Sequence, residues 1–571
     1  MEVLQKNKTK TITGAEALIQ CLVAEQVDTI FGYPGGAIMP IYDALHGYRE
    51  KVNHILVRHE QGATHSAQGY ARVSGKVGVV FATSGPGATN LITGIADAQI
   101  DSTPMVCITG QVASSLLGTD AFQETDVMGI SMPVTKWNVQ ITKAEEIPAA
   151  VAKAFYIARS GRPGPVVIDI TKDAQFQSLD FDYEVCNQFR SYVPKPEIEK
   201  ANIWRAADLI NKAKKPMVLF GQGVILADAQ KEFKEFVEKS GIPSAWTIMG
   251  LSALNDDHPL NVGMLGMHGN YGPNKMTNEC DLLIAVGMRF DDRVTGDLSR
   301  YAKQAKVIHL ELDPAEINKN VPADVAVLGD CKLTLPLITN AINKRNHSQW
   351  LEQFNELYQE EYKAVIKKEL NPAKDKPISM GEVIKLISDK TNGESIIVTD
   401  VGQHQMVAQR YYQFSKWRSN VTSGGLGTMG FALPAAIGAK FGAPDRQVIA
   451  VIGDGGFQMT IQELGTIYQS GVDVKILILN NEFLGMVRQW QEMFFDRRYS
   501  FTEMINPDFQ TISKGYHIPS QKVEQREGLN KAIDTFLNSK GSFLLEVVVG
   551  KENNVFPMVP SGASVSDIRL K

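Results

Sequence analysis

Several features that would point to particular protein classes are missing from this sequence. The five cysteines are scattered without a Cys-x-x-Cys pair, so we expect neither a disulfide framework nor a zinc site, and a reducing compartment is favoured. Basic residues number 58 and acidic residues 63, for a net charge of −5, and there is no extended basic stripe. The charge balance therefore argues against a nucleic-acid partner.

Long apolar runs are also missing. The longest, such as 475–479 and 543–549, fall well short of the ~18 residues of a membrane helix, so we expect no membrane span. The first ten residues, MEVLQKNKTK, lack the apolar core of a signal peptide, which favours a cytoplasmic protein. Glycine, by contrast, is plentiful at 48 residues. Many glycines follow short apolar runs, where α/β proteins commonly bind phosphates.

Apolar runs typical of strands alternate with stretches typical of helices along most of the chain, which predicts an α/β fold of mostly parallel sheets flanked by helices. The Pro- and charge-rich segments 191–200 and 367–377 are interpreted as linkers. They divide the chain into three predicted domains, 1–190, 191–366 and 367–571. The stretches 78–110 and 447–481 share a strand, Gly-x-Gly turn, helix and strand. Either every α/β protein repeats this unit, or two related domains bind two halves of one ligand.

Polar and glycine residues follow two apolar runs of the C-terminal block. Gly453-Asp454-Gly455 follows VIAVI, and Asn480-Asn481 ends KILIL. The segment between them fits one helix and a return strand, so both motifs should meet at the carboxyl edge of adjacent parallel strands. Asp454, the side-chain oxygen of Asn481 and the Phe483 carbonyl are hard ligands that suit Mg²⁺ shared with phosphates. Together the motifs resemble the diphosphate motif of thiamine-diphosphate enzymes.

That resemblance requires a carboxylic acid in the N-terminal block, since in these enzymes an acid beside the pyrimidine ring promotes removal of the thiazolium C2 proton. Glu60 is the candidate, although in isolation it reads as a first-turn helix glutamate. Around it, FGYPGGAIMP (31–40), HEQGA (59–63) and SGPGATN (84–90) stand in the order of the pyrimidine-binding domain. From about Thr13 to Gly562 the chain resembles the catalytic large subunit of acetohydroxyacid synthase, or biosynthetic acetolactate synthase.

The resemblance implies pyrimidine-binding, central FAD-binding and diphosphate-binding domains, in a homodimer or tetramer where one thiamine diphosphate bridges two subunits. Glu60 and Gln123 would be catalytic, and the flavin would be structural. The residues that it assigns to thiamine diphosphate are Gly36, Gln123, Gln403, His404, Gly427 and Met429. Those that it assigns to FAD are Arg162, Gly221, Gly223, Leu265, Gly266, Met267, His268, Gly287, Arg289, Asp291, Arg293, Glu311 and Asp330.

The resemblance also implies a reaction. Pyruvate would be decarboxylated and its two-carbon unit joined to pyruvate or 2-ketobutyrate, giving 2-acetolactate or 2-aceto-2-hydroxybutyrate for valine, leucine and isoleucine biosynthesis. Arg293 would hold the carboxylate of the second substrate, residues 555–563 would cover the site, and the family leaves room for a regulatory small subunit. The residues expected around the second substrate are Phe122, Lys172, Met267, Arg293, Met486 and Trp490.

Three other functions remain open at this point. A flavin oxidoreductase of the pyruvate oxidase type shares the domain plan and both cofactors, but RFDDRVTG (289–296) and LGMVRQW (484–490) favour the synthase. A catabolic acetolactate synthase without flavin would have no use for the flavin motifs. A non-catalytic nucleotide-binding subunit would not need Glu60 together with intact diphosphate motifs.

Overall fold

The fold is known from a computed structural model that describes residues 10–571. The polar start of the chain, on which the expectation of no signal peptide rests, lies outside that range except for Lys10. Within it, three six-stranded parallel sheets follow one another along the chain, each flanked by helices. This confirms the predicted α/β fold class.

The N-terminal sheet has the strand order β3-β2-β4-β5-β7-β6, and β1 pairs antiparallel with β8 beside it. The strands are β1 (Lys10–Thr13), β2 (Thr29–Gly32), β3 (Asn53–Leu56), β4 (Gly78–Ala82), β5 (Met105–Gln111), β6 (Trp137–Ile141), β7 (Pro165–Thr171) and β8 (Ser178–Phe181). The helices are α1 (Gly14–Ala24), α2 (Met39–His46), α3 (Glu60–Ser74), α4 (Pro86–Asn90), α5 (Ile92–Ile100), α6 (Val127–Ser131), α7 (Ile147–Arg159) and α8 (Lys172–Phe176).

The central sheet has the order β11-β10-β9-β12-β13-β14. Its strands are β9 (Pro216–Phe220), β10 (Ser244–Trp246), β11 (Asn261–Met264), β12 (Leu282–Val286), β13 (Lys306–Glu311) and β14 (Val325–Leu328). Its helices are α9 (Lys200–Lys212), α10 (Gln222–Leu226), α11 (Gln230–Ser240), α12 (Tyr271–Thr277), α13 (Asp292–Thr295), α14 (Cys331–Ala341) and α15 (Ser348–Glu361).

The C-terminal sheet has the order β16-β15-β17-β18-β20-β19. Its strands are β15 (Ile396–Thr399), β16 (Asn420–Thr422), β17 (Val448–Gly453), β18 (Lys475–Asn480), β19 (Ser520–Val523) and β20 (Phe543–Val548). Its helices are α16 (Lys367–Leu370), α17 (Met380–Thr391), α18 (Gln403–Tyr411), α19 (Ala432–Gly442), α20 (Asp454–Met459), α21 (Leu464–Ser470), α22 (Gly485–Phe494), α23 (Phe509–Gly515) and α24 (Arg526–Asn538).

Shorter helical turns complete the fold. A π-helical turn at Tyr362–Ile366 joins α15 to α16, so the predicted linker 367–377 begins inside a helical run and the chain leaves that run at Asn371. The predicted linker 191–200 is without helix or strand as far as α9. The 3-10 turns lie at Ser114–Leu116, Met132–Val134, Ala144–Glu146, Leu298–Arg300, Pro314–Glu316, Ile461–Glu463 and Val565–Asp567.

Strand order separates the outer sheets from the central one. Numbered from the first strand of each sheet, both outer sheets run 2-1-3-4-6-5, whereas the central sheet runs 3-2-1-4-5-6. The second order is that of dinucleotide-binding folds. The likeness of the two outer blocks therefore extends to all six strands and is not shared by every α/β unit of this chain, which favours two related domains.

The central strands of each sheet are continuous apolar runs because helices cover both faces. Every residue of β4, β12 and β17 is buried. Across the outer domains, α3 packs against α19 through small residues, and a side chain on Gly69 would collide with the backbone of Ala435. Helix α3, which begins at Glu60, is thereby fixed against the C-terminal domain of the same chain. From residue 10 onward, no helix is long and apolar enough to cross a membrane.

Candidate active site

Three oxygen atoms converge at the carboxyl edge of the C-terminal sheet. Strands β17 and β18 are parallel neighbours, as predicted, and Asp454 and Asn481 directly follow them. The Asn481 side-chain oxygen lies 3.2 Å from Oδ1 of Asp454 and 2.9 Å from the Phe483 carbonyl oxygen. Ligands on adjacent corners of an octahedron with the 2.0–2.1 Å bonds of Mg²⁺ stand about 3 Å apart. If the Asn481 amide were turned over, its nitrogen could donate to Oδ1 of Asp454 and to the Phe483 carbonyl oxygen. A cation bound between the three residues would instead favour the orientation in which the Asn481 oxygen points toward the other two oxygens.

Asp454 is buried and supported by a residue that the sequence did not point to. Asn506 donates from Nδ2 to Oδ2 of Asp454 at 2.7 Å, which leaves Oδ1 facing Asn481. Burial raises the pKa of Asp454 to about 6. Within residues 10–571 no group of three or more His, Cys, Asp and Glu side chains could hold a metal. A cation at this edge therefore depends on one carboxylate together with amide and carbonyl oxygens.

The start of α18 contributes the predicted diphosphate residues Gln403 and His404. Nδ2 of Asn481 lies 3.3 Å from Oε1 of Gln403, and a side chain on Gly453 would meet the His404 ring at 2.8 Å. Burial lowers the pKa of His404 to about 3, so the ring is neutral at physiological pH. Its Nε2 atom is buried and finds no hydrogen-bond partner in the described part of the chain. A polar ligand group beside Gly453 would satisfy that atom, which fits the assignment of the start of α18 to a polar ligand such as a diphosphate.

Gly427 and Met429 follow β16 at the same edge. Gly427 has φ +70°, and a side chain there would have only Val401 within 4 Å, at 3.9 Å. The methyl end of Met429 lies 3.9 Å from where a side chain on Gly455 would begin. An adaptable thioether therefore stands beside the Gly-Asp-Gly turn with open space next to it. This fits the predicted assignment of Gly427 and Met429 to thiamine diphosphate.

One cavity of about 1660 Å³ joins the central domain to this edge. It is large enough for a dinucleotide, since drug-sized ligands occupy about 300–1,000 Å³. Most of the predicted flavin residues and four predicted residues of the C-terminal domain line it. They are Arg162, Gly223, Leu265, Met267, His268, Gly287, Arg289, Asp291, Arg293, Glu311, Asp330, Gly427, Met429, Met486 and Trp490.

The glycine-rich turns of the central domain lie at the point where its strand order reverses. β9 and β12 are parallel neighbours, and Gly221 and Gly287 directly follow them. Gly223 packs against Gly287, and a side chain on either would come within 2.7 Å of the backbone of the other. Gly221 contacts the same turn, and a side chain on Gly266 would meet the Arg293 carbonyl at 2.7 Å. Such switch points with exposed backbone are where dinucleotides bind.

Polar groups on the cavity wall also suit a dinucleotide. Burial raises the pKa of Glu311 to about 7. Burial also lowers the pKa of His268 to about 4. The Nδ1 atom of His268 is buried and has no hydrogen-bond partner among residues 10–571. Arg162 donates to Glu316 at 2.8 Å from the N-terminal side of the cavity. A ligand with hydroxyl and phosphate groups would satisfy these atoms, so the residues fit FAD.

Four of the predicted substrate residues also line this cavity: Met267, Arg293, Met486 and Trp490. Arg293 is exposed, and its Nη1 atom contacts the Met267 sulfur at 3.7 Å. Met486 and Trp490 face the cavity from α22 and are only half-buried. Trp490 is therefore not a core residue. Because Arg293 and Trp490 line the same space, the structure brings together a cation and an aromatic side chain that the sequence separates by nearly 200 residues.

The buried face of α22 is polar, which the sequence did not predict. Arg488 and Gln489 are fully buried there. Gln489 exchanges two hydrogen bonds with the backbone of Val555, at 2.9 and 3.0 Å. Farther along the same segment, the amide of Val559 donates to the Met267 carbonyl at 2.7 Å. The C-terminal segment 555–563 therefore contacts both α22 and Met267, two parts of the chain that line the cavity.

The predicted N-terminal residues form a separate group. Glu60 is half-buried at the start of α3, accepts from Nδ2 of Asn90 at 3.0 Å and lies beside Gly87. Gln123, with φ +59°, packs against Gly85. The other members of this group occupy the same sheet edge without joining the cavity: Gly36 is exposed, Phe122 is 88% exposed, and Lys172 begins α8.

Known proteins match this chain along most of its length. Three sequence families match the chain: the N-terminal TPP binding domain of thiamine pyrophosphate enzymes at residues 12–130, the central domain at 203–338 and the C-terminal TPP binding domain at 400–547. The chain is 45% identical to the acetolactate synthase isozyme 2 large subunit of Escherichia coli over 98% of this chain and 100% of that protein. It is 46% identical to the acetolactate synthase large subunit of Corynebacterium glutamicum, over 98% and 90%. It is 43% identical to the mitochondrial acetolactate synthase catalytic subunit of Saccharomyces cerevisiae, over 97% and 83%.

The chain belongs to the acetolactate synthase large-subunit family.

The cofactors of this family, thiamine diphosphate, Mg²⁺ and FAD, are those that the sequence predicted. In this acetolactate synthase the oxygens of Asp454, Asn481 and Phe483 would hold the metal, and the turns at Gly221–Gly223 and Gly287 would receive the flavin. Sequence reasoning missed Asn506, Arg488 and Gln489. Asn, Arg and Gln are common surface residues, and only the packing shows which groups these three side chains contact.

Proposed function

We infer that this chain decarboxylates pyruvate and joins the two-carbon unit to a second 2-keto acid, forming 2-acetolactate or 2-aceto-2-hydroxybutyrate. The observation that carries this function is that Arg293, Met486 and Trp490 line the same cavity as Met429. A cation and an apolar wall next to the cofactor edge are what a small keto acid with a carboxylate and an alkyl tail requires. These products are the precursors of valine, leucine and isoleucine.

Thiamine diphosphate, when bound, supplies a nucleophilic carbon and an electron sink for decarboxylation. Arg293 holds the carboxylate of the second keto acid, because its guanidinium is exposed to the cavity and can donate two hydrogen bonds. Met486 and Trp490 contact the alkyl group. The segment 555–563 excludes water by lying across Met267 and α22. The turns at Gly221–Gly223 and Gly287 would hold FAD, which would have a structural role without net redox change.

Glu60 and Gln123 complete the site from a second subunit. Within one chain, Glu60 accepts a hydrogen bond from Asn90 of the N-terminal domain. Oδ2 of Asp454 accepts one from Asn506 of the C-terminal domain. With the cofactor bound, Glu60 would hold a proton at its pyrimidine ring, and Gln123, Gly36, Phe122 and Lys172 would contribute to the same part of the site. The exposure of Phe122 and the absence of this group from the cavity of its own chain support a shared site. The protein is then at least a homodimer.

Further assignments complete the proposal. The domains are 1–190, 191–366 and 367–571, and the three matched ranges fall inside them. A regulatory small subunit is a partner, since the relatives are named large subunits. The scattered, unpaired cysteines support a cytoplasmic enzyme.

The purified protein, supplied with thiamine diphosphate, Mg²⁺ and FAD, should convert pyruvate to 2-acetolactate, measured directly by proton NMR. Adding 2-ketobutyrate should divert product to 2-aceto-2-hydroxybutyrate. The competing oxidase function is tested in parallel with an artificial electron acceptor. Pyruvate-dependent reduction of that acceptor as the dominant activity, without acetolactate, would contradict the proposal. The Glu60→Gln protein serves as the inactive control.

A further inference from the structure

Two buried aspartates lie one turn apart at the end of α5, where they are energetically unfavourable unless compensated. Asp97 is fully buried and Asp101 is 2% exposed. Carboxylates near a helix C-terminus oppose the helix dipole, and like charges four residues apart repel one another. Burial, with the Asp101 carboxylate second, raises the pKa of Asp97 to about 6. Such a pair requires strong donors from elsewhere in the molecule.

The donors come from one loop of the C-terminal domain, residues 423–429. The amides of Gly424 and Gly425 donate to the two carboxylate oxygens of Asp101 at 2.8 and 2.7 Å. Oγ1 of Thr428 donates to Asp97 at 2.9 Å, and the Ser423 hydroxyl donates to the same oxygen. The N-terminal domain therefore holds this loop at both of its ends.

Arg72, on α3, closes the arrangement. It forms a buried ion pair with Asp101 at 2.8 Å and donates to the Thr422 carbonyl, at the residue before the loop. The loop also packs tightly on α5, since a side chain on Gly425 would meet Ile100 at 2.8 Å. The C-terminal domain itself adds a bond from Gln405 to the Ser423 carbonyl at 3.2 Å. Most polar contacts that fix the loop thus come from the other domain.

Gly427 and Met429 are the loop residues that we assign to thiamine diphosphate. They lie on either side of Thr428, next to the held positions, and Gly427 keeps its left-handed backbone with open space beside it. If the loop were free, binding would have to order several residues, at the cost of their conformational entropy. A loop already held in place avoids that cost.

We propose that Asp97 and Asp101 are positioning residues for thiamine diphosphate, because they hold the 423–429 loop in the conformation that receives the cofactor. The inference rests on the proposed function of Gly427 and Met429. It gives the N-terminal domain two tasks. Glu60 acts at the site shared with the other subunit, whereas Asp97 and Asp101 prepare the half-site of their own chain.

The test uses Asp101→Asn and Asp97→Asn in the FAD-containing protein, with calorimetric titration of thiamine diphosphate in the presence of Mg²⁺. Asp101→Asn should bind about 10-fold more weakly, because the amide nitrogen would face one of the two glycine amides. At saturating cofactor kcat should fall, while KM for pyruvate stays within about 2-fold, since Arg293 is untouched. Asp256→Asn is the matched control: Asp256 is buried and accepts from the Phe414 amide, outside the loop. It should leave cofactor affinity unchanged.

The loop side gives a second variant, which also covers the case in which an aspartate variant fails to fold. Thr428→Val removes one donor to Asp97 and should weaken thiamine diphosphate binding; combined with Asp97→Asn, the effects should be non-additive. Lower melting temperatures with wild-type cofactor affinity and kcat would overturn the positioning role alone. A wild-type protein that bound no thiamine diphosphate would overturn the proposed function as well.

Discussion

The two outer domains share a strand order and differ in what stands at the carboxyl ends of their strands. After the third strand, the N-terminal sheet has Ser84-Gly85-Pro86-Gly87 and the C-terminal sheet has Asp454. After the fourth, the N-terminal chain continues toward Gln123 and the C-terminal chain places Asn481 and Phe483. One edge thus offers small residues and a glutamate, and the other offers metal-binding oxygens and donors for phosphate.

This difference indicates that the shared fold determines where a ligand binds, and that the residues at the strand ends determine which half of thiamine diphosphate binds there. An uncharged ring needs close backbone and one acid, which the N-terminal edge has in Gly85, Gly87 and Glu60. A diphosphate needs a bound cation and polar partners; at the C-terminal edge Asp454 can serve as a ligand of the cation, and the buried Nε2 atom of His404 has no partner among residues 10–571. The central sheet, with its different order, takes a different ligand. A substitution at one sheet edge should therefore impair the function of that edge and leave the other two edges unaffected.

The largest effect is expected at the N-terminal edge. Glu60→Gln should lower kcat by about 10²–10⁴-fold, because the amide cannot share a proton with the pyrimidine ring. Steady-state acetolactate formation and calorimetric titration of thiamine diphosphate measure the two effects separately, and cofactor affinity should change little. The exposed Glu50→Gln is the control. A turnover within about 3-fold of the parent would remove Glu60 from the mechanism.

The C-terminal edge should respond in affinity. Asp454→Ala should weaken thiamine diphosphate binding by about 100-fold in the presence of Mg²⁺, because the metal loses its one carboxylate ligand. Raising the Mg²⁺ concentration should restore part of the binding, which calorimetric titration will show. Asp445→Ala, at an exposed turn of the same domain, is the control. Unchanged affinity would show that the metal is held elsewhere.

The central edge should respond to backbone crowding and affect only the flavin. Gly287→Ala puts a methyl group 2.7 Å from Gly223, so FAD affinity, followed by flavin fluorescence, should fall about 10-fold. Gly471→Ala is a close control, because Gly471 has a similar left-handed backbone, φ +66° against +55°, with nothing within 4 Å. Equal loss of FAD affinity in both variants would attribute the effect to backbone strain. If Gly287→Ala also weakened thiamine diphosphate binding, the FAD and thiamine diphosphate sites would be coupled.

The smallest effect concerns the choice of second substrate. Trp490→Leu should shift the partition between 2-aceto-2-hydroxybutyrate and 2-acetolactate by about 10-fold, since one methylene is worth about 1–3 kcal/mol in an apolar pocket. Product ratios at fixed ratios of the two keto acids measure it. Trp204→Leu, at an exposed position of α9, is the control. An unchanged partition in a folded Trp490→Leu protein would place the selectivity elsewhere.

The sequence predicted the fold class and the edges because those depend on local patterns. Apolar runs ended by Gly-Asp-Gly and Asn-Asn locate strand ends, whereas the order of the strands in each sheet was not predicted, because it depends on pairing between distant segments. The sequence did not predict the roles of Asn506, Arg488 or Asp97, because these depend on contacts with Asp454, Asn554 and Ser423, which lie 52, 66 and 326 residues away along the chain. Nothing local distinguishes such residues from solvated ones. Trp490 shows the same limit, since nearly 200 residues separate it from Arg293 in the sequence and only the fold places both on one cavity.

The claim that one active site is built from the two unlike edges of two subunits has a direct measurement. Glu60→Gln and Asp454→Ala chains, carrying different affinity tags, are mixed, and the mixed dimers are purified through both tags. Each mixed dimer has one site with both residues intact, so acetolactate formation should return to about half of the wild-type rate per dimer. Mixed dimers that stay inactive, while each parent variant remains folded and keeps its FAD, would contradict the shared site.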